Sequence, residues 1–502
     1  MLSPSCQQPT TYTPRHPPST PCYQIINHEL DSFISERQDE GRPLPQYVIT
    51  EFEDYLKCGV PAYGFLRLKC NRCSEEMILA FSCKKRGFCP SCCGRRMTEA
   101  AAHLVDNVLP IIPYRQFVIT FPIPMRYWLH TNKKLFSKIQ SIIYQQITTF
   151  YRHQSQLDKR HHPQSGLIAF VQRWGSALNL NPHLHILVTD GVYYNKHDPK
   201  FKKLKTISDR NVEQLLAVIV NRILRYLKKV GLIDSNGDVV QNPMLDELFQ
   251  HHLSIDMATQ ASLSSRIAFG PNAGKKVTKI GGGFGYEEEI PLVKGRLCCS
   301  MNGFSMHAAR AINSRNRKGL EQLISYIARG PFSNNRLELL PNQRVKFELK
   351  TRFRDGTSHL LFTYGEFLEK LSALIPPPRS HLVRWSGCFA PNSPYRRKIV
   401  LKPNVRKGFQ FKDDDCDNED KPKNYSWSKL LKRVFKIDVT QCPHCPGTLA
   451  AVCSVVEQQQ VRRYLKHMGI DHLPPVRGPP RSVQPELRYD TDYSDGPSPG
   501  LY

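Results

Sequence analysis

The sequence predicts an α+β protein, a central antiparallel sheet with flanking helices preceded by a small zinc ribbon. Three observations lead there. Short stretches rich in β-branched and aromatic residues follow one another in the order strand, helix, strand, strand, helix, which suits a sheet covered by helices. The helical stretches carry apolar residues at 3.6-residue spacing, while the strand-like ones end at Pro, Gly or Asn. A cysteine-dense segment ahead of them is too short and polar to hold itself together by a core alone.

Residues 1–45 read as a poorly ordered arm, since the first 22 are rich in Pro, Ser and Thr. Residues 46–105 form the ribbon and 106–380 the main domain. Within the latter, "YRQFVITFPIP" (114–124) is a strand stopped by prolines, and 133–153 is an amphipathic helix. A second strand, "GLIAFVQRWG" (166–175), leads through "NLNP" into a third, "HLHILVT" (183–189). Residues 212–231 form a helix stopped by glycine, and 281–285 a glycine loop. "KGLEQLISYIARGP" (318–331) is a further helix closed by Gly-Pro. Strands at 345–349 and 359–364 precede a helix that ends at three prolines (376–378). A basic extension (381–412), an acidic linker (413–424), a small Cys-x-x-Cys unit (425–475) and a disordered tail (476–502) complete the chain.

Charge narrows the function. Seventy Lys and Arg against 44 Asp and Glu leave +26, an excess that points to a polyanionic partner, with DNA the leading candidate. No run approaches the eighteen or so consecutive apolar residues of a membrane span, and the N-terminus lacks the apolar core of a secretory signal. A cytoplasmic protein with no membrane partner is expected, and in that compartment clustered cysteines serve metals more often than disulfides.

"CNRC" (70–73) and "CPSC" (89–92) are fifteen residues apart. Two such turns complete a tetrahedral zinc site, so Cys70, Cys73, Cys89 and Cys92 are the expected ligands of a structural Zn2+. Cys58, Cys83, Cys93 and His103 are spare donors, which leaves a swapped ligand or a second ion open. Four protein ligands leave zinc no open position, so this basic ribbon suits DNA binding, with Lys85 and Arg86 as candidate phosphate contacts. "CPHC" (442–445), with Cys453 downstream, is a weaker signal, because one pair cannot close a site.

His183 and His185 share one face of their strand, while Leu184, Ile186 and Val188 point to the other. That division suits a metal-bearing sheet. It equally suits two ordinary strand residues, because a chain with 18 histidines in 502 positions makes roughly two-thirds of one such pair by accident.

The surrounding motifs carry more. "FVQRWGSALNLNPHLHILVTDGVY" resembles the core of HUH rolling-circle transposases, and most closely insertion sequence family ninety-one with its common-region branch. "FSCKKRGFCPSC", "ITFPIPMRYWL", "LISYIARGP", "FRDGTSHLLFTYGEFLEKLSALIPPPR" and "SGCFAPNSPYRR" match the same family in the same order, over roughly residues 46 to 470. The resemblance implies a metal-dependent DNA endonuclease and strand transferase acting on single-stranded or hairpin ends of its own element, compatible with a homo-oligomer. It implies a catalytic Mg2+ or Mn2+ on His183 and His185, with Gln172 as third ligand, and Tyr326 as nucleophile forming a 5′-phosphotyrosine bond. Arg329, one helical turn on from Tyr326, is placed to hold a phosphate oxygen. Two-tyrosine relatives carry a second tyrosine where this chain has Gly330, so it resembles a single-tyrosine branch. Two other readings stand beside this one. The first is a non-catalytic zinc-ribbon DNA-binding regulator. The second is a metal nuclease with paired carboxylates, for which only Asp190 is near the imidazoles in sequence.

Overall fold

The chain opens with two helices, α1 (Pro21–Asp39) and α2 (Gln46–Lys57), then a hairpin of β1 (Phe65–Cys70) and β2 (Glu76–Ala80), then α3 (Pro90–His103). This is a computed structural model that describes residues 15–238, 240, 252–280, 295–353, 355–400 and 440–478. Next come β3 (Tyr114–Thr120), α4 (Ile123–Thr131), α5 (Lys133–Gln154), β4 (Gly166–Trp174), β5 (Leu180–Thr189), β6 (Gly191–Tyr194) and β7 (Lys200–Lys203). Helices α6 (Asp209–Lys229) and α7 (Leu253–Leu263) precede β8 (Thr278–Ile280), β9 (Cys298–Met301), β10 (Phe304–His307) and β11 (Ala311–Ile312). The rest is α8 (Arg317–Ile327), β12 (Leu337–Leu340), β13 (Arg344–Glu348), β14 (His359–Thr363), α9 (Tyr364–Leu374), β15 (Val383–Gly387), α10 (Arg396–Ile399), β16 (Leu449–Val455) and α11 (Gln458–His467).

The expected α+β class with antiparallel sheets and flanking helices is present. The largest sheet runs β15-β4-β5-β3-β10-β9, with β11 also on β3, and all its pairings are antiparallel. Pleating divides each central strand between two cores. Leu184, Ile186 and Val188 of β5 face α5 and α6, together with Phe117 and Ile119 of β3 and Leu167, Ala169 and Val171 of β4. Leu187, Ile168, Phe170 and Tyr114 pack on the opposite side against Leu320, Leu323, Ile324 and Ile327 of α8.

The helices form where the sequence gives them both a stripe and a stop. In α5, Asn132 caps the N-terminus by accepting from the Leu135 N–H at 2.8 Å, and Leu135, Ile139, Ile143, Ile147 and Tyr151 are buried. Each such aliphatic contributes about 1.5–3 kcal/mol when fully buried. A capping box between Ser208 and Asn211 starts α6, and Gly231, at φ +72°, ends it in the left-handed region that other residues avoid.

Below that helix layer, Arg115 donates two hydrogen bonds of 3.0 Å to the Asp190 carboxylate, which also accepts the Tyr151 hydroxyl at 3.1 Å. This buried ion pair joins β3 to the end of β5.

A four-stranded sheet, β12-β13-β14-β8, backs onto α1, α7 and α9. The N-terminal arm is therefore not poorly ordered throughout: from Pro21 it is a helix burying Cys22, Tyr23, Ile25, Ile26, Leu30 and Phe33 in that core. Pro21 sits in its first turn, where a missing N–H costs nothing. The main sheet also runs past residue 380, since β15 pairs with β4 from Val383↔Phe170 to Gly387↔Gly166. The C-terminal Cys-x-x-Cys unit is not a separate body either, because β16 pairs with β1 in a β16-β1-β2 sheet. The glycine loop at 281–285, residues 401–412, the acidic linker at 413–424 and the tail from 479 lie outside the described residues.

Candidate active site and cysteine clusters

Strand register brings the imidazoles together. His183 lies opposite Gln172 on β4 and Thr120 on β3, and His185 opposite Phe170 and Val118. Paired residues point to one face, so His183, His185 and Gln172 converge on the α8 side of the sheet. His185 Nε2 lies 3.2 Å from His183 Nε2 and 3.1 Å from Gln172 Oε1.

The other ring nitrogens decide which form each imidazole takes. His183 Nδ1 donates to the Asn181 carbonyl at 2.7 Å, so its Nε2 keeps a lone pair. His185 Nδ1 meets the Gln116 side-chain amide at 2.6 Å. A Gln116 Nε2–H donated to that nitrogen puts the ring proton on His185 Nε2, facing Gln172 Oε1; with the amide turned about, its oxygen accepts from Nδ1 and His185 Nε2 keeps its lone pair. Burial, opposed by the Asn181 carbonyl and assisted by Arg126 and Arg329, lowers the His183 pKa. Burial first, then His183 and Arg329, lowers that of His185 to about 3. Both rings are neutral at neutral pH, the form that binds metals. Two imidazole nitrogens and an amide oxygen facing one another at this spacing repel unless a cation or a proton lies between them. The residues fit a divalent ion.

Tyr326 stands over this group on α8. Its neighbours Leu323, Ile324 and Ile327 are buried, whereas Tyr326 is 44% exposed at the edge of the stripe. Its ring meets His185 edge to face, with centroids 6.3 Å apart. The Arg329 guanidinium lies 4.5 Å and the Lys350 ammonium 4.8 Å from its ring centre. Gln172 ties the two halves together, since its Nε2 donates to the Ile327 carbonyl at 2.8 Å. Arg329 Nε is buried with no hydrogen-bond partner among the described residues. Gly330 abuts α3: a Cβ there would lie 2.7 Å from Cys93 Cβ, so a second tyrosine at this position would not fit the observed packing.

Sequence reasoning missed Gln116, Asn181, Arg126 and Lys350. A period-2 reading of β3 places Gln116 on the same face as Val118, but its contact with His185, diagonal to it across the β3–β5 pairing, exists only once the strands pair. Asp190 is taken up by Arg115 and Tyr151, so the structure gives a paired-carboxylate nuclease no support at this position.

The thiols are arranged differently from the expected set. Cys70, Cys73, Cys89 and Cys92 do not share one site. Cys89 and Cys92 join Cys58 and Cys83, with Sγ–Sγ distances of 3.6 Å for Cys58–Cys92, 3.4 Å for Cys83–Cys92 and 3.8 Å for Cys58–Cys89. Cys70 and Cys73 join Cys442 and Cys445 instead. The cause is topological: Cys89 caps α3, which packs back on α2 and Cys58, while Cys70 ends β1 beside β16. Cys93 and His103 belong to neither group. Tetrahedral Zn–S bonds of about 2.3 Å set sulfurs roughly 3.8 Å apart, which the first cluster matches. Beside it, Lys85 is paired with Asp54 at 2.8 Å, and Arg86 is exposed.

A family model described as "Transposase zinc-binding domain" matches residues 25–121, and one described as "Putative transposase" matches residues 166–397. The transposase for insertion sequence element IS801 of Pseudomonas savastanoi pv. phaseolicola is 27% identical over 143 residues. That is 27% of this chain and 32% of the relative, so the match spans about a third of the relative's length. No solved structure matches the chain. The zinc-binding match falls on the thiol-rich module, and the transposase match on the part of the chain that carries the convergent imidazoles and the helical tyrosine. Over these stretches the chain is similar to transposases of the IS91 family. The family's zinc-binding domain and the thiol clusters together support structural zinc. No helix among the described residues is long and apolar enough to cross a membrane.

Proposed function

We propose that this protein is an HUH-type transposase that cuts and rejoins single strands of DNA in the cytoplasm, with Tyr326 as nucleophile. The observation that carries the proposal is the placement of Tyr326 against His185, with two cations 4.5 and 4.8 Å from its ring centre and three convergent polar donors beside it. The Tyr326 oxygen attacks the scissile phosphorus, and a 5′-phosphotyrosine bond forms as the bond to the 3′ oxygen breaks. The phenol gives up one proton and the departing 3′ oxygen takes one up, leaving a 3′-hydroxyl able to prime synthesis or attack another end. Mg2+ or Mn2+ held by His183, His185 and Gln172 would supply charge neutralisation at the non-bridging oxygens.

The chain's own residues do the rest. Arg329 and Lys350 hold the phosphate oxygens in reach of the tyrosine. Asn181 and Gln116 fix the two rings. The basic zinc module and Arg86 bind the element end along its backbone. With Gly330 at the second tyrosine position, the return transfer uses the freed 3′-hydroxyl, Tyr326 again, or a second copy.

The test is incubation of the purified chain with labelled single-stranded end sequences and Mg2+ or Mn2+, followed by denaturing electrophoresis. A covalent adduct that maps to Tyr326 is expected. A chain that binds these ends without ever forming the adduct is a DNA-binding regulator, and the proposal fails.

A further inference from the structure

The second thiol cluster joins an early and a late segment of the chain, and half of it lies outside residues 25–121 and 166–397, the stretches that the family models match. Cys70 ends β1 and Cys73 follows it, whereas Cys442 and Cys445 precede β16, some 370 positions away. Cys70 and Cys445 sulfurs are 3.5 Å apart, Cys73 and Cys442 sulfurs 3.6 Å, and all four lie within 4.8 Å of one another. That is the spacing of a tetrahedron about one ion, not of two S–S bonds near 2.05 Å.

The backbone is already wound for coordination. The Arg72 N–H points at Cys70 Sγ (3.4 Å), the His444 N–H at Cys442 Sγ (3.5 Å) and the Gly447 N–H at Cys445 Sγ (3.3 Å). These N–H groups stabilise thiolates, and the two turns do so in the same way. Gly447 makes the approach possible, since a Cβ there would lie 2.7 Å from Cys70 Sγ. Asn71 and Thr448 lock the turns together through Asn71 N to Thr448 O, Thr448 N to Asn71 Oδ1, and Asn71 Nδ2 to Thr448 Oγ1, at 2.9–3.0 Å.

Apolar packing gives this joint little support. The core shared by β1, β2, β16 and α11 is Phe65, Ile78, Val455, Val461 and Leu465. A core that small does not hold a segment of this length without a staple. The segment nonetheless continues across the N-terminal helix, where Arg477 pairs with Asp31 at 2.8 Å and Asn27 Nδ2 donates to the Val476 carbonyl at 2.7 Å.

We propose that Cys70, Cys73, Cys442 and Cys445 bind a second structural zinc ion that clasps the C-terminal segment 440–478 onto the N-terminal module. Binding displaces the four thiol protons, and no redox change is involved. The chain then carries two zinc ions, one within the N-terminal module and one joining an early to a late segment. The clasp is separate from the histidine site and from the adduct chemistry, so it stands or falls independently of them.

Zinc content of the purified full chain by elemental analysis tests this. Wild type should hold two zinc ions per chain, and the Cys442→Ser/Cys445→Ser double variant one. Limited proteolysis should then cut the variant within 440–478 at least tenfold faster than wild type. Cys442→His keeps a metal-binding donor and should restore the second ion and the protection, while Cys453→Ser, exposed and outside the cluster, should change neither. Should the double variant misfold, titration of wild type with an organomercurial should release zinc in two equal steps. One zinc in both wild type and double variant overturns the proposal, as does a wild-type mass lower by four hydrogens with peptides linked Cys70–Cys445 and Cys73–Cys442. Unchanged proteolysis after loss of the second ion overturns the clasp.

Discussion

Tyr326 and His185 meet edge to face across the gap between α8 and the sheet, with ring planes at 88°. Contact on this side fixes the ring while the residue remains partly open to solvent, so the hydroxyl is not needed for packing. Tyr326→Phe should therefore fold and bind single-stranded DNA like wild type yet give no covalent adduct, checked by circular dichroism, gel shift and denaturing gels. An adduct of equal yield in the variant would place the nucleophile elsewhere.

Gln116 touches His185 but none of the converging donor atoms. Gln116→Ala should weaken Mn2+ binding about 10–100-fold, the usual effect of losing a partner that orients a ligating imidazole. Isothermal titration at the histidine site, with the thiol sites zinc-loaded, measures it. His185→Ala should abolish that binding.

The lowered histidine pKa values set a pH dependence with a definite sign. The folded His185 pKa of about 3 lies below the ordinary 6.5, so between these values the unfolded chain binds more protons than the folded one. This group's contribution to stability is complete above pH 6.5 and is lost as pH falls toward 3. The urea midpoint of metal-free protein should drop through that window, and a His185→Gln variant should drop less steeply.

Asp190 has a structural role. Removing it leaves Arg115 buried without its carboxylate, which costs about 3–5 kcal/mol. Asp190→Ala should lower unfolding free energy by that amount in denaturant titrations, with Mn2+ affinity of the surviving folded fraction unchanged.

Gly330 and Cys93 make the contact between α8 and α3 close. Gly330→Ala should cost about 1–3 kcal/mol by overpacking, read as a fall in melting temperature. Cys93→Ala should recover part of the loss in the double variant, because the clash is with its Cβ and Sγ.

Local pattern carried much of the fold. Helices α5, α6, α8 and α9 and strands β3, β4, β5, β13 and β14 lie where periodicity and stop residues place them, within a few positions. Helix α1 was obscured because the Pro- and Ser-rich flank hid a stripe at Cys22, Ile25, Ile26, Leu30 and Phe33. Strand β15 is only five residues long, lies at the edge of the sheet, and depends on β4 for its extended form.

By itself, the sequence determined that His183 and His185 share a face, that Tyr326 borders an apolar stripe, and that paired cysteines occur in turns. Each follows from the chain's local repeat, which needs no distant partner. Only the tertiary structure decided which thiols meet, that Gln172 faces His185 while holding the Ile327 carbonyl, and that Gly330 lies against Cys93. Spacing along the chain limits which donors can share an ion only within a turn. Between turns, strand pairing and helix packing choose, and here they placed Cys442 and Cys445 nearer to Cys70 than Cys89 and Cys92 are.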